Sequence, residues 1–198
     1  MAPNGYTKKE LRAYFKQQRS LLDQATLSKY DQGILAHFKK APINLPEEAY
    51  VFGYQPIPNS GEVATSLIEA YLSSTMGASN LHIAYPRTNL QTLEMEAVVP
   101  HSKDDFKTNR LGLIEPNHGQ VIPSHQLHLV ILPLLCFDLK GNRVGYGKGF
   151  YDRYLSFCPS DVLKIGLSYF PAVRQITDVD PFDIPLDFAV TPDKLYAF

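Results

Sequence analysis

The stretch Leu127-His-Leu-Val-Ile-Leu-Pro-Leu-Leu135 constrains the fold of this chain most strongly. Apolar residues on successive positions, over a length too short for an ordinary helix, describe a strand buried on both faces. Such a strand needs a covered sheet, and the rest of the chain supplies the covers. Tyr50 to Tyr54, Leu81 to Tyr85, Leu163 to Ser168 and Phe188 to Thr191 read as further strands, and Leu93 to Val99 alternates as a strand with one wet face. Between them lie helical patterns. Thr7 with Glu10 forms a capping box opening a helix over about 7–22, with Leu11, Tyr14, Phe15, Leu21 and Leu22 at helical spacing. Leu27, Tyr30, Ile34, Leu35 and Phe38 mark a second helix that Pro42 stops, and Val63 to Leu72 reads as a third. The segment from His101 to Ser124 has weak periodicity and reads as loop. Strands interleaved with helices predict an α/β layered sandwich with a largely parallel sheet, behind an amino-terminal helical segment over 1–42. At 198 residues this is one domain, 1–198.

Charge narrows the partners. Nineteen Lys and Arg against twenty Asp and Glu leave a formal charge of -1, so no whole-protein field draws the chain to nucleic acid or an anionic membrane. The longest apolar run falls far short of the roughly 20 residues that span a bilayer. The opening MAPNGYTKKE lacks the apolar core of a secretory signal, which predicts a cytoplasmic protein. Cys136 and Cys158 have no metal or redox spacing and read as small hydrophobes. Locally the balance is uneven: residues 1–40 carry a net +5 and Val173 to Phe198 a net -3. A cationic arm and an acidic tail can flank a polyanion and its metal, or can be a solvated helix and loop.

The chemically informative segment is Gly141-Asn-Arg-Val-Gly-Tyr-Gly-Lys-Gly-Phe-Tyr-Asp152, between the apolar strand and a helix over Tyr151 to Phe157. Glycines at 145, 147 and 149 permit positive φ and leave backbone N–H groups open to a phosphate chain. Arg143 and Lys148 add positive charge, and Asp152 is a hard oxygen ligand suited to Mg²⁺. The spacing is neither that of a P-loop nor that of a dinucleotide fingerprint. A glycine-rich turn closing a strand-to-helix crossover is the plainer alternative.

This segment, with Phe137-Asp138 ahead of it, resembles the signature of the 5-formyltetrahydrofolate cyclo-ligase family. Weaker matches follow in family order: Lys8 with Arg12, Tyr54 to Glu62, Pro86-Arg87, Ile165-Gly166-Leu167, Gln175, and Asp183 with Asp187. The resemblance implies a three-layer sandwich with a mainly parallel sheet. It also implies ATP- and Mg²⁺-dependent cyclisation of 5-formyltetrahydrofolate to 5,10-methenyltetrahydrofolate, with release of ADP and phosphate.

Residue roles follow from the same resemblance. Lys8, Arg12, Arg143, Val144, Gly145, Tyr146, Gly147, Lys148, Gly149, Phe150 and Tyr151 are the ATP-binding set, and Arg143 with Lys148 serves catalysis. Asp152 and Asp183 are the metal ligands. Tyr54, Glu62, Tyr146, Gly147, Lys148, Gly149 and Phe150 bind the folate, with Glu62 accepting the paired pterin N–H groups. A first-turn acid complementing a helix dipole explains Glu62 equally well. Arg87 is assigned to phosphate or to the folate glutamate. Two positions depart from the family habit: Tyr146 stands where Arg is common, and Phe150 where Tyr is common.

The expected partners are small molecules, and the expected state is a monomer. Two other classes compete with this reading: a sugar-phosphate isomerase or acyl-CoA transferase on a related sheet, and a non-catalytic nucleotide or folate sensor. His125 and His128 have HxxH spacing without further ligands nearby and read as structural.

Overall fold

In a computed structural model describing residues 5–76 and 80–198, the apolar run becomes the interior strand of an eight-stranded sheet. Met1 to Asn4, part of the amino-terminal stretch read above, lie outside the described residues. In chain order the elements are α1 (Lys8–Ser20), α2 (Gln24–Phe38), β1 (Ala49–Phe52), α3 (Ser66–Met76), β2 (Leu81–Asn89), β3 (Glu94–Val99), β4 (Phe106–Thr108), β5 (Ile114–Pro116) and β6 (Gln120–Ile122). They continue with β7 (Leu127–Pro133), β8 (Cys136–Phe137), β9 (Arg143–Val144), α4 (Phe150–Leu155), β10 (Leu163–Leu167), β11 (Phe188–Val190) and β12 (Leu195–Ala197).

The main sheet runs β12-β11-β10-β7-β1-β2-β3-β6, and the five strands from β11 to β2 are parallel. Antiparallel strands close both edges. The period of two along β7 divides the interior. Leu129 and Ile131 face a core shared with Ile34 and Phe38 of α2 and Ile68 and Leu72 of α3. Val130 and Leu132 face the other core, with Tyr154 and Leu155 of α4. Helices therefore cover both faces, which makes the three-layer α/β sandwich.

A third core cluster matters most for the site. Leu11 and Phe15 of α1 pack with Leu135, Cys136, Val144, Val173 and Ile176, so α1 docks on the β8–β9 hairpin. The capping box holds its start, with Glu10 N donating to Thr7 Oγ1 and Thr7 N to Glu10 Oε2 at 2.9 Å.

Boundaries differ from expectation in places that have physical causes. The region read as loop contains β4, β5 and β6, because the short strands pair with each other and with β3, a long-range support that periodicity over three residues does not reveal. Strand β7 ends at Pro133, and Leu134 and Leu135 turn the chain into β8. The third helix begins at Ser66 after an extended Val63 to Thr65, where Thr65 Oγ1 bonds the Tyr54 carbonyl at 3.0 Å and Glu69 Oε1 at 2.6 Å.

Candidate active site

The site is built on the exit from β7. Buried Asp138 closes the hairpin between β8 and β9, accepting from Lys140 N at 2.9 Å, Asn142 N at 3.0 Å and Ile176 N at 3.1 Å. That turn delivers Arg143 and then the glycine loop. Gly147 has φ +90° and Gly149 φ +69°, a left-handed conformation that a side chain rarely adopts, and Gly149 is the N-cap of α4. Arg12 reaches across from α1, and its Nε donates to the Gly145 carbonyl at 2.8 Å. A Cβ at Gly147 would lie 3.1 Å from Arg12 Cζ, so the bare backbone is what admits the guanidinium.

Charges meet beside the loop. Lys8 Nζ forms an ion pair with Asp183 Oδ2, which also accepts from Asp180 N at 2.6 Å. Arg143 Nη2 donates to Asp152 Oδ1 at 2.6 Å, and its Nη1 donates to the Ile184 carbonyl. The same Asp152 oxygen accepts from Ile184 N at 3.1 Å, so the two aspartates are tied through neighbouring residues. Each uses only one oxygen, and Asp152 Oδ2 and Asp183 Oδ1 have no hydrogen-bond partner among the described residues. No cluster of three or more His, Cys, Asp or Glu side chains converges among those residues to make an all-protein cage. Two carboxylates with spare oxygens fit the other kind of site, where a Mg²⁺ ion keeps waters and substrate phosphate oxygens.

These groups line one cleft of about 520 Å³. Lys8, Arg12, Arg143, Lys148, Asp152 and Asp183 supply its charged lining. Lys148 is exposed, and its ammonium has no partner among the described residues. Tyr54, Met95, Leu113, Ile114, Phe150 and Tyr151 supply an apolar lining of a size suited to flat rings. Glu62 stands within it, 8% exposed, with Oε2 accepting from Ile57 N at 2.6 Å. Burial pushes its carboxyl above the usual range, against the stabilising N–H of Ile57, the Tyr146 hydroxyl and the Arg19 charge. The Tyr54 hydroxyl is committed to the Val63 carbonyl at 2.9 Å, leaving its ring for the cleft.

Of the residues singled out in the sequence, Lys8, Arg12, Arg143, Gly145 to Asp152, Asp183, Tyr54 and Glu62 all come to this cleft. Val144 does not line it, and its side chain is buried in the core that docks α1. Arg87 lies outside the cleft, paired with Glu96 at 2.8 Å across the β2–β3 hairpin. His128 Nδ1 accepts from Tyr50 N at 3.1 Å, a use for that ring within the sheet.

Two residues in and behind the cleft escaped the sequence reading. Glu115 is buried in the lining, where its carboxylate accepts from Thr88 N at 3.2 Å and Asn109 Nδ2 at 2.8 Å, and burial raises its pKa. A lone acid in the apolar run Leu111 to Pro116 was the available signal. Arg19 is buried at the carboxyl end of α1; its place four residues beyond Phe15 and eight beyond Leu11 puts it on the apolar face.

Comparisons with known proteins place the chain in a family. The profile of the 5-formyltetrahydrofolate cyclo-ligase family matches residues 4–192. A 5-formyltetrahydrofolate cyclo-ligase of Mycoplasma genitalium is 33% identical over 101 residues, 51% of this chain. That match spans little more than half the length of the relative, 58%. The enzyme of that name from Mycoplasma pneumoniae is 25% identical over 186 residues, covering 94% of this chain and 99% of its own. Among solved structures, the 5,10-methenyltetrahydrofolate synthetase of Aquifex aeolicus superposes with a TM-score of 0.76 at 26% identity, over 96% of this chain and 92% of that one.

Proposed function

We propose, for a chain that belongs to the 5-formyltetrahydrofolate cyclo-ligase family, that it uses ATP and Mg²⁺ to close 5-formyltetrahydrofolate into 5,10-methenyltetrahydrofolate, releasing ADP and phosphate. The observation that carries the reading is the meeting, in one cleft, of a cationic glycine loop, two aspartates with spare oxygens and an apolar wall holding a buried glutamate.

The chemical obstacle is the formyl oxygen, which is a poor leaving group. Transfer of the γ-phosphoryl group to that oxygen makes it a good one; N10 then attacks the formyl carbon, the C–O bond breaks with loss of phosphate, and the N10 proton is released. This chemistry asks for positioning and charge neutralisation and needs no protein nucleophile. Arg12 and Lys8 hold phosphate oxygens from α1, and the backbone from Gly145 to Gly149 wraps the chain. Arg143 and Lys148 neutralise charge that develops during transfer. Asp152 and Asp183 would hold Mg²⁺, which supplies charge neutralisation to the phosphates when bound. Tyr54 and Phe150 offer ring faces to the folate, and the Glu62 carboxylate accepts the paired N–H groups of the pterin.

The experiment is to mix purified protein with 5-formyltetrahydrofolate, ATP and Mg²⁺ and follow methenyl-folate absorbance. The expected result is a rise that needs both ATP and the metal. Folded protein that gives no rise, or a rise without ATP, would overturn the reading.

A further inference from the structure

Arg153 is an exposed cation on α4 whose guanidinium is committed to backbone carbonyls and not to acids. Its Nη2 donates to the Lys148 carbonyl at 2.8 Å and its Nε donates to the Leu93 carbonyl at 3.1 Å. No carboxylate pairs with it among the described residues. Its Cζ lies 5.6 Å from the centroid of the Phe150 ring, and a Cβ at Gly149 would stand 2.9 Å from its Nη1. The guanidinium thus spans from the glycine loop to the turn between β2 and β3, and the bare backbone at Gly149 is what lets it through.

Both ends of that span are set. Asn89 Oδ1 accepts from Gln91 N at 3.0 Å and Thr92 N at 3.3 Å, which builds the turn, and Leu93 then takes φ +59°. A bulky apolar side chain rarely adopts this left-handed backbone, and the Leu93 carbonyl is the one that Arg153 binds. At the loop end, pinning a carbonyl also sets the amide behind it. A trans peptide is planar, so the Lys148 C=O and the Gly149 N–H point in opposite directions, and no peptide bond among the described residues is cis. Arg153 does not line the cleft, whereas Gly149 does. The carbonyl is drawn to the outer side of the loop and the N–H is left facing the other way, where it donates to no acceptor among the described residues. Without the guanidinium this peptide is free to turn, because the glycine beside it has no Cβ to oppose the rotation.

We propose that Arg153 is a positioning residue for the phosphate chain of the nucleotide: it ties the Lys148 carbonyl to the β2–β3 turn and so keeps the Gly149 N–H directed at the anion. The proposal rests on the reading of the glycine loop as a phosphate cradle. Arg12 holds the other end of the loop in the same way, through the Gly145 carbonyl at 2.8 Å, but Arg12 lines the cleft and is itself available to phosphate. Arg153 acts through the backbone alone, by the planar fork of donors that lets one guanidinium bind two carbonyls.

The test compares full-length wild type, Arg153→Ala and Arg153→Lys, with ATP and Mg²⁺ alone as the binding probe and both substrates for kinetics. In NMR spectra of labelled protein, the Gly149 amide signal of wild type is expected to shift on addition of ATP and Mg²⁺, and that shift is largely lost in Arg153→Ala. KM for ATP rises about tenfold in Arg153→Ala, the worth of one misdirected hydrogen bond, while KM for 5-formyltetrahydrofolate and the melting temperature stay at their wild-type values. Arg153→Lys keeps the charge without the fork, and its KM for ATP is expected to follow the alanine variant. A lysine variant with the wild-type KM for ATP overturns the proposal, because charge alone would then suffice. So does a Gly149 shift as large in Arg153→Ala as in wild type. Equal rises in both KM values with a lowered melting temperature also overturn it, since the contact would then be structural only. A Gly149 signal that ATP does not move even in wild type is a separate failure: it removes the phosphate-cradle reading, and the proposal with it.

Discussion

Arg143 and Asp152 meet at 2.6 Å, the guanidinium side chain 6% exposed and the carboxylate 30%. The pair joins the start of β9 to the first turn of α4 and fixes the loop between them. It also means that a proposed metal ligand is the ion-pair partner of a buried cation. Asp152→Ala should therefore cost about 2 kcal/mol, because a buried charge loses its partner, and lower the melting temperature by about 4–8 °C. Asp152→Asn keeps a neutral acceptor and should recover much of that loss without restoring turnover. Calorimetry and ADP release across a magnesium titration check both, and an Asn variant with wild-type metal dependence would remove Asp152 from the metal site.

Lys148 is the opposite case, an exposed cation in the cleft with no partner among the described residues. Lys148→Met should lower kcat by about 10²–10³-fold, the cost of removing one preorganised charge from a transition state. Its melting temperature should stay within about 2 °C of wild type, as for an ordinary surface substitution. Steady-state kinetics beside a thermal melt distinguish this from a folding defect; normal turnover would take the lysine out of the reaction.

Gly147 and Gly145 differ although both sit in the same loop. Gly147 has φ +90° and an added Cβ would press on Arg12, whereas an added Cβ at Gly145 meets nothing within 4 Å. Gly147→Ala should cost about 1–2 kcal/mol of stability and raise KM for ATP as Arg12 is displaced. Gly145→Ala should leave the melting temperature nearly unchanged. Equal thermal losses in both variants would show that the loop relaxes freely and that φ at 147 is not the constraint.

Burial holds the carboxyls of Asp31, Glu62 and Glu115 above their ordinary values, so the folded protein binds their protons more tightly than the unfolded chain does. The stability they contribute is fully present below the unfolded values, 3.8 for Asp and 4.5 for Glu, and is lost as pH rises through the raised folded values. Glu115→Gln removes one such group. The fall in melting temperature as pH rises from 4.5 should be shallower in this variant than in wild type. Identical slopes would mean that Glu115 titrates at its unfolded value.

Much of this was readable residue by residue. The apolar run at Leu127 predicts an interior strand, and its alternate positions, Leu129 and Ile131 against Val130 and Leu132, enter opposite cores. Thr7 with Glu10 predicts the start of α1, which holds Lys8 and Arg12 at the cleft. Of the three loop glycines at 145, 147 and 149, those at 147 and 149 take positive φ and Gly145 does not. All of these are short-range matters, settled by sterics, capping and periodicity within a few residues.

What the linear chain determined about this protein is therefore its layer order, its helix start and the glycine loop with its charges. Only the tertiary structure decided that Lys8 meets Asp183, 175 residues away, that Arg19 lies buried behind Tyr146, and that Glu115 lines the cleft. The reason is physical. Local geometry is written in neighbouring residues, but the burial and pairing of a charge belong to whatever surrounds it, and here the surroundings come from strands and loops far along the chain.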